Sequence, residues 1–262
     1  LYIYMNIQKK IFYIILYFNL IITNTFFINN FANKISINKK DMLLYKHCSY
    51  LSRDVYDKSI NFSKSYYNKS LYICFKGTSS FNDWKTNLNL KLVKYQKNDI
   101  DFYVHNGYYN QYNNIKYNLY NYLIYNKVNY DNIIICGHSL GGALANICAF
   151  DIVDKPFSYN KNIICVTFGS PRIGDKNFVN LYNSFNISTH RIVISGDPVP
   201  KLPLNGYYLH VCSSIFFKDD KIYIKPNKAY IAIKRLFIYL CKIDYTFKSH
   251  NIVKYIELFS NL

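Results

Sequence analysis

"DNIIICGHSLGGALANICAF", residues 131–150, decides how the rest of the chain is read. An apolar, isoleucine-rich run, Ile133 to Cys136, meets Gly137, His138 and Ser139, and after the glycine pair at 141 and 142 the sequence turns to small helix-forming residues. A G-x-S-x-G between a buried strand and a helix forms a nucleophile elbow, a strained turn that holds the serine hydroxyl above the sheet. Side chains at Gly137 and Gly141 would collide there, which explains the glycines. Ser139 is thereby placed to attack. The helix that starts behind it directs free backbone N–H groups at whatever Ser139 attacks, so the Leu140 N–H is available to an oxyanion.

Working outward, the chain has 262 residues, no internal repeat and no Pro/Gly/Ser-rich linker, the pattern of one large domain. Half of the residues are apolar and 19% aromatic, which excludes a disordered or collagen-like chain. Lys and Arg number 32 against 15 Asp and Glu, a net charge of +17. The lysines are scattered among overused Asn, Ile and Tyr, which reads as a solvated surface, and no helix carries a basic stripe for a nucleic-acid groove. Attraction to an anionic membrane surface remains open. Neither a C-x-x-C nor a clustered His/Cys spacing supports a metal site, and no cofactor motif is present.

The start of the chain has its own signature. "MNIQKK" from Met5 precedes the apolar run Ile11 to Ile22 and the polar Thr23 to Thr25, the basic-then-apolar pattern of a secretory signal, too short for a confident membrane span. Residues 1–35 are read as a signal peptide and leader, with an uncleaved signal anchor as the alternative, and 36–262 as one domain. Of the seven cysteines, Cys74, Cys136, Cys148 and Cys165 lie inside apolar runs and read as small hydrophobes, while any two of Cys48, Cys212 and Cys241 are open to pairing.

Helix and strand alternate after about Ile35. Met42, Leu43, Tyr45, Leu51 and Val55 have helical spacing, and Tyr112, Ile115, Leu119, Tyr122 and Leu123 share one face of a helix from Tyr108. Short apolar strands are expected from Ser70 to Gly77, from Asn132, from Ile163 and from Arg191 to Ser195. A hairpin turning at Asp219 and Asp220 follows, then Ala229–Leu240 as a helix or a long strand, and a closing helix from Ser249. Strands that read as continuous apolar runs between helices imply a mainly parallel sheet covered on both faces, an α/β class. In such sheets functional residues collect at the carboxyl ends of the strands.

A serine nucleophile needs a base, and the base an orienting carboxylate. His138 sits inside the elbow and cannot reach back to its neighbour. His47 and His190 fall where a helix and a strand start, and His105 and His210 sit in aromatic sequence as satisfied structural histidines. His250, between the last strand-like run and the closing helix, is the candidate base, in the chain order Ser, acid, His. Asp197, just past a strand end in "ISGDPVPKLP", is the candidate acid, ahead of Asp175, Asp151 and Asp154.

Six ordered blocks, "FKGTSSFNDWKTNLNLKL", "VHNGYY", "GHSLGGALA", "TFGSPRIGD", "GDPVPKLP" and "SHNIVKY", resemble the class 3 lipases, the fungal triacylglycerol lipase-like α/β-hydrolases, from about Asp41 to the C-terminus. The resemblance implies an α/β-hydrolase fold and a Ser139, Asp197, His250 triad. It also implies an oxyanion hole of Thr78 and Leu140, and a lid over about 80–88 whose apolar face is Phe81, Trp84 and Leu88. Two departures stand out: Ser249 occupies the position before His250 that usually holds an aspartate, and the segment between His210 and His250 is long and unlike the family's. The expected activity is a secreted, monomeric, cofactor-free serine hydrolase that cleaves lipid esters at a lipid–water interface. Phospholipase A1-type cleavage, a soluble-ester or feruloyl esterase, and a catalytically silent lipid-binding module are the alternatives.

Overall fold

Along the chain, a computed structural model gives β1 (Asn33–Lys34), α1 (Lys39–Asp54), β2 (Phe62–Tyr67), β3 (Ser70–Phe75), β4 (Leu92–Lys97) and β5 (Ile100–His105). There follow α2 (Asn106–Asn126), β6 (Asn132–His138), α3 (Leu140–Ile152), β7 (Asn162–Phe168), α4 (Lys176–Ser184), β8 (Ile187–Ile194), β9 (Ser214–Lys218), β10 (Lys221–Lys225) and α5 (Ile252–Glu257). The structure describes residues 33–78, 91–126, 130–203, 206–218, 221–225 and 249–260. Residues 1–32 of the expected leader, the apolar run 229–240 and the hairpin turn at Asp219 and Asp220 lie outside these residues, while residues 33–35 pair with β10 in the sheet.

Among the described residues one sheet carries eight strands in the order β1-β10-β9-β8-β7-β6-β3-β2. Its centre, from β9 to β3, is parallel, and β2, β10 and β1 run antiparallel at the margins. The unbroken apolar runs have a simple cause: each central strand buries both faces. Leu71, Ile73 and Phe75 of β3 and Ile133 and Ile135 of β6 join a core with α2, α3 and α4 on one side. Tyr72, Cys74, Ile134 and Cys136 join α1 and α5 on the other. Each such buried aliphatic side chain contributes about 1.5–3 kcal/mol relative to exposure.

The helices follow their apolar faces with two differences. On α2 the residues Tyr112, Ile115, Leu119 and Leu123 are buried as expected, but Tyr122 stays half-buried, its ring under Lys64 Nζ at 3.8 Å and its hydroxyl bonded to Tyr66 at 2.9 Å. On α1, Leu43 is 56% exposed, whereas Tyr45, Cys48, Ser49 and Ser52 face the sheet. The small Ser52 lets this helix lie close to β3, where the Cys74 thiol meets the Ser52 hydroxyl at 3.7 Å. Cys48 and Cys212 are both free thiols, so no bridge joins them, and Cys74, Cys136, Cys148 and Cys165 are free and buried. Cys241 lies outside the described residues.

Several boundaries move. β8 begins at Ile187, four residues before Arg191, because its first half is polar and pairs with β7 without an apolar signature. The hairpin of β4 and β5 forms a separate two-stranded sheet that turns through Asn98 and Asp99, at φ 51° and 59°. α4 is capped by Asp175, whose carboxylate accepts the Phe178 N–H at 2.9 Å, and α5 starts at Ile252 under an Asn251 cap rather than at Ser249. Such caps stabilise a helix by about 1 kcal/mol. β9 and β10 form the expected hairpin, with Lys218 opposite Lys221. Among the described residues no helix is long and apolar enough to cross a membrane.

Candidate active site

β6 ends at His138 and α3 starts at Leu140, so Ser139 alone makes the bend, at φ 59° and ψ −128°. A non-glycine residue held there costs of order 1–3 kcal/mol, and the surroundings impose it. A Cβ on Gly137 would overlap the Gly141 carbonyl, and one on Gly141 the Phe75 carbonyl. The Ser139 N–H donates to the Phe168 carbonyl at 2.9 Å, and its own carbonyl accepts the Gly142 N–H at 3.0 Å. The serine backbone is therefore fixed from β7 and from its own helix.

The carboxyl ends of β3, β6, β7 and β8 deliver Thr78, Ser139, Gly169 and Asp197 to one edge of the sheet. Asp197 is 1% exposed. Its carboxylate accepts the Val199 N–H at 2.9 Å and the Tyr255 O–H at 2.6 Å, and it holds His250 Nδ1 with both oxygens, at 3.0 and 2.9 Å. With Nδ1–H given to a carboxylate, the other ring nitrogen carries the lone pair. That atom, Nε2, is buried and has no hydrogen-bond partner among the described residues. It is not bonded to the Ser139 hydroxyl in this structure, and such contacts commonly tighten only around substrate.

Two further groups fix the histidine ring. Gly169 has φ 58°, and a Cβ there would meet Asp197 Oδ2 at 2.7 Å, the Tyr255 oxygen at 2.9 Å and His250 Cε1 at 3.1 Å, so nothing larger than glycine passes. His138, the elbow residue before Ser139, stacks on His250 with centroids 4.5 Å apart and planes at 24°. Its Nδ1 is hydrogen-bonded to the Tyr56 hydroxyl at 2.9 Å. Burial, and then the neighbouring charge of His250, push the His138 pKa well below 6.5, so it sits neutral beneath its partner.

The rival residues are occupied elsewhere. Asp151 accepts from the Tyr112 and Tyr120 hydroxyls at 2.7 and 2.6 Å and from Lys116 Nζ at 3.0 Å. Asp154 pairs with Lys97 at 3.2 Å, and Asp175 is the cap of α4. His47 packs edge-on against Tyr72, His190 lies between the Tyr45 and Ser188 hydroxyls, and His210 Nε2 donates to the Pro200 carbonyl at 2.6 Å. His105 is fully buried and stacked on Tyr108, and burial pushes its pKa down to about 4. It is not the satisfied histidine expected from sequence, because its Nε2 has no partner among the described residues. His250 is the histidine ion-paired to a carboxylate among the described residues.

Thr78 and Leu140 line one cleft of about 350 Å³ beside the elbow, with Leu144 and Ile115 in its floor. The Thr78 hydroxyl oxygen is buried with no partner among the described residues, and Leu140, as the first residue of α3, has an N–H without an intrahelical acceptor. Two donors without a partner within the fold thus belong to residues that line a cleft next to the serine, among the described residues. Phe81, Trp84 and Leu88 lie outside the described residues. No group of three or more metal-ligating side chains occurs among the described residues.

Sequence reasoning missed Tyr255, Tyr56 and Gly169. Tyr255 shares the buried side of α5 with Ile252 and Ile256, so its spacing reports only burial, and nothing in sequence says that its hydroxyl reaches Asp197.

The chain matches the family model Lipase (class 3) over residues 72–207. It is 30% identical to a lipase of Rhizomucor miehei over 170 residues, 63% of this chain and 47% of that protein. It is 42% identical to phospholipase A1-II 1 of Oryza sativa over 77 residues, 29% of this chain and 20% of that one. These matches span about half or less of the relatives' own lengths. The solved structure of Rhizomucor miehei triacylglyceride lipase superposes with a TM-score of 0.63 at 20% identity, covering 85% of this chain and 96% of that one. With the family model spanning just over half of its residues, the protein belongs to the class 3 lipase family and has the α/β-hydrolase fold.

Proposed function

We propose that the protein is a serine hydrolase that cleaves carboxylic esters of lipids through an acyl-enzyme. Ser139 is the nucleophile, His250 the general base, and Asp197 the carboxylate that orients the imidazole and stabilises its cation. The observation that carries the reading is the division of labour on one ring: His250 Nδ1 is held by both Asp197 oxygens while Nε2 is buried and unpartnered among the described residues. A base needs that free lone pair to take a proton from the serine.

As the hydroxyl of Ser139 attacks the ester carbonyl, its proton passes to His250 Nε2, and the carbonyl oxygen takes up negative charge. The Thr78 hydroxyl and N–H and the Leu140 N–H receive that charge, and each such donor contributes about 10²–10³ in turnover. His250 then protonates the departing alcohol. Water repeats the sequence in reverse order on the acyl-serine, with His250 again as base, and releases the fatty acid. No cofactor takes part in these steps. Phe81, Trp84 and Leu88 are assigned to an apolar lid face, the chain to a monomer working at a lipid–water interface, and the basic-then-apolar run from Met5 to Thr25 to a signal for export.

The test is hydrolysis of an emulsified triacylglycerol and of a short soluble ester by wild type, Ser139→Ala and His250→Ala. Both substitutions should remove nearly all activity by similar factors, because members of a triad act as a unit. Retention of more than a tenth of the wild-type rate by His250→Ala would assign the base elsewhere.

A further inference from the structure

The turn that carries Asp197 is tied down at a distance from the carboxylate. Asp197 stands two residues before a short helical turn, Val199–Lys201, in which the Lys201 N–H donates to the Pro198 carbonyl at 3.0 Å and the Leu202 N–H to the Val199 carbonyl at 2.9 Å. The next carbonyls, of residues 200–203, are met from other parts of the chain. The Pro200 carbonyl accepts from His210 Nε2 at 2.6 Å. Arg172 holds the other three: its guanidinium Nη1 donates to the Lys201 and Pro203 carbonyls, the latter at 2.7 Å, and its own N–H donates to the Leu202 carbonyl at 2.7 Å. Both side chains are buried, Arg172 at 4% exposure and His210 at 5%. Burying a guanidinium is costly unless its protons find acceptors, so a position that only had to be filled would favour an apolar residue. Arg172 also follows Gly169, the glycine pressed against Asp197 and His250, by three residues, so one loop after β7 meets both the carboxylate and the turn that carries it.

We infer that Arg172 and His210 are positioning residues for the proposed triad: they fix the turn that aims the Asp197 carboxylate at His250. The inference rests on the serine-hydrolase reading of Ser139. The link runs through one N–H. Val199 donates its N–H to Asp197 Oδ1 at 2.9 Å, and the same oxygen faces His250 Nδ1 at 3.0 Å. Anchored carbonyls at 200–203 keep the turn from rotating, and the Val199 N–H then keeps Oδ1 in one direction. With those carbonyls released to water the turn would swing, and the carboxylate and imidazole with it. Proton transfer from a serine tolerates little of this, because the base must stay within hydrogen-bond reach. A displacement of about 1 Å caused far from the chemistry costs about 10²-fold in rate. Neither side chain lines the cleft of Thr78 and Leu140, so their loss acts on turnover and not on substrate binding.

The experiment measures kcat and KM on a short soluble ester, with kcat expressed per folded molecule and the folded fraction taken from urea unfolding. Wild type, Arg172→Met, His210→Phe and His210→Gln are each compared in the native and the Asp197→Asn background. Arg172→Met should lower kcat by about tenfold or more and leave KM within about twofold. His210→Phe, which loses one hydrogen bond, should lower kcat by about fivefold, and His210→Gln, whose amide still reaches the Pro200 carbonyl, should restore it to within about twofold. In the Asp197→Asn background the same changes should cost less than about twofold more, since residues that act through Asp197 have nothing left to aim. Losses that multiply onto Asp197→Asn, or an unchanged kcat per folded molecule in both Arg172→Met and His210→Phe, would overturn the positioning role. If Arg172→Met does not fold, the His210 variants decide by the same criteria. Wild type that leaves the ester intact, or Ser139→Ala that still cleaves it, would instead overturn the serine-hydrolase reading itself.

Discussion

The elbow helix α3 has a carboxylate network near each end, half-buried at Asp151 and buried at Asp197, and the two differ in what they leave unspent. Near its carboxyl end Asp151 collects the Tyr112 and Tyr120 hydroxyls and one donor of the Lys116 ammonium, and both hydroxyl protons are spent on it. Beyond its amino end Asp197 collects the Val199 N–H, the Tyr255 hydroxyl and His250, but the last of these brings a second nitrogen that its partner does not consume. A closed network stabilises a fold, because buried polar groups are worth most when all are satisfied. An open one keeps a lone pair for chemistry. The proximity of a carboxylate is common to both sites; the unspent valence distinguishes them.

Paired substitutions can break that comparison. Asp197→Asn keeps the shape of the site but removes the charge that fixes the imidazole tautomer, and turnover should drop by about 10⁴-fold, as in other triads of this type. Asp151→Asn, measured in the same assay and by urea unfolding, should leave turnover within about threefold and cost about 1–3 kcal/mol of stability. If Asp151→Asn crippled turnover while Asp197→Asn did not, the two roles would be exchanged.

A smaller effect tests the donors across the cleft. Thr78→Val replaces a hydroxyl that has no partner among the described residues and should lower turnover by about 10²-fold with little change in stability. A loss below threefold would remove the side chain from the oxyanion site and leave only its N–H.

How much of this could be read from the chain depends on the physical signal each part carries. The central strands were legible because burial on both faces forces continuous apolar runs, and the elbow because Gly137 and Gly141 have no steric alternative. β2 was missed because an edge strand with the sequence FSKSYY, mostly half-exposed or exposed, has little burial to report. The β4–β5 hairpin did carry a signal, Asn98-Asp99 between two six-residue strands, of the kind that favours positive φ at both turn positions. At the site, Ser139, Asp197 and His250 were singled out by spacing and chain order, and of these the structure joins His250 to Asp197. The tyrosine on Asp197 and the imidazole stacked under His250 depend on three-dimensional approach, which no local pattern encodes.

An effect on stability alone concerns the histidines that stay neutral. His105 has a folded pKa of about 4 because of burial, against 6.5 when unfolded, and His138 is lowered in the same direction. Above pH 6.5 neither state binds the proton and the full stability is present. As pH falls below 6.5 the unfolded chain takes the proton first, so stability declines until about pH 4, by up to roughly 3 kcal/mol for such a shift. Urea midpoints across this window should fall for wild type and fall less for His105→Phe; parallel curves would show that His105 does not contribute.

The claim that the open network serves a nucleophile is tested most directly by a serine-reactive fluorophosphonate, with the modified residue located by peptide mass spectrometry. Wild type should be labelled at Ser139 alone, Ser139→Ala should remain unlabelled, and Asp197→Asn should label far more slowly than Asp151→Asn. Equal labelling of wild type and Ser139→Ala, or a label on another serine, would contradict the account.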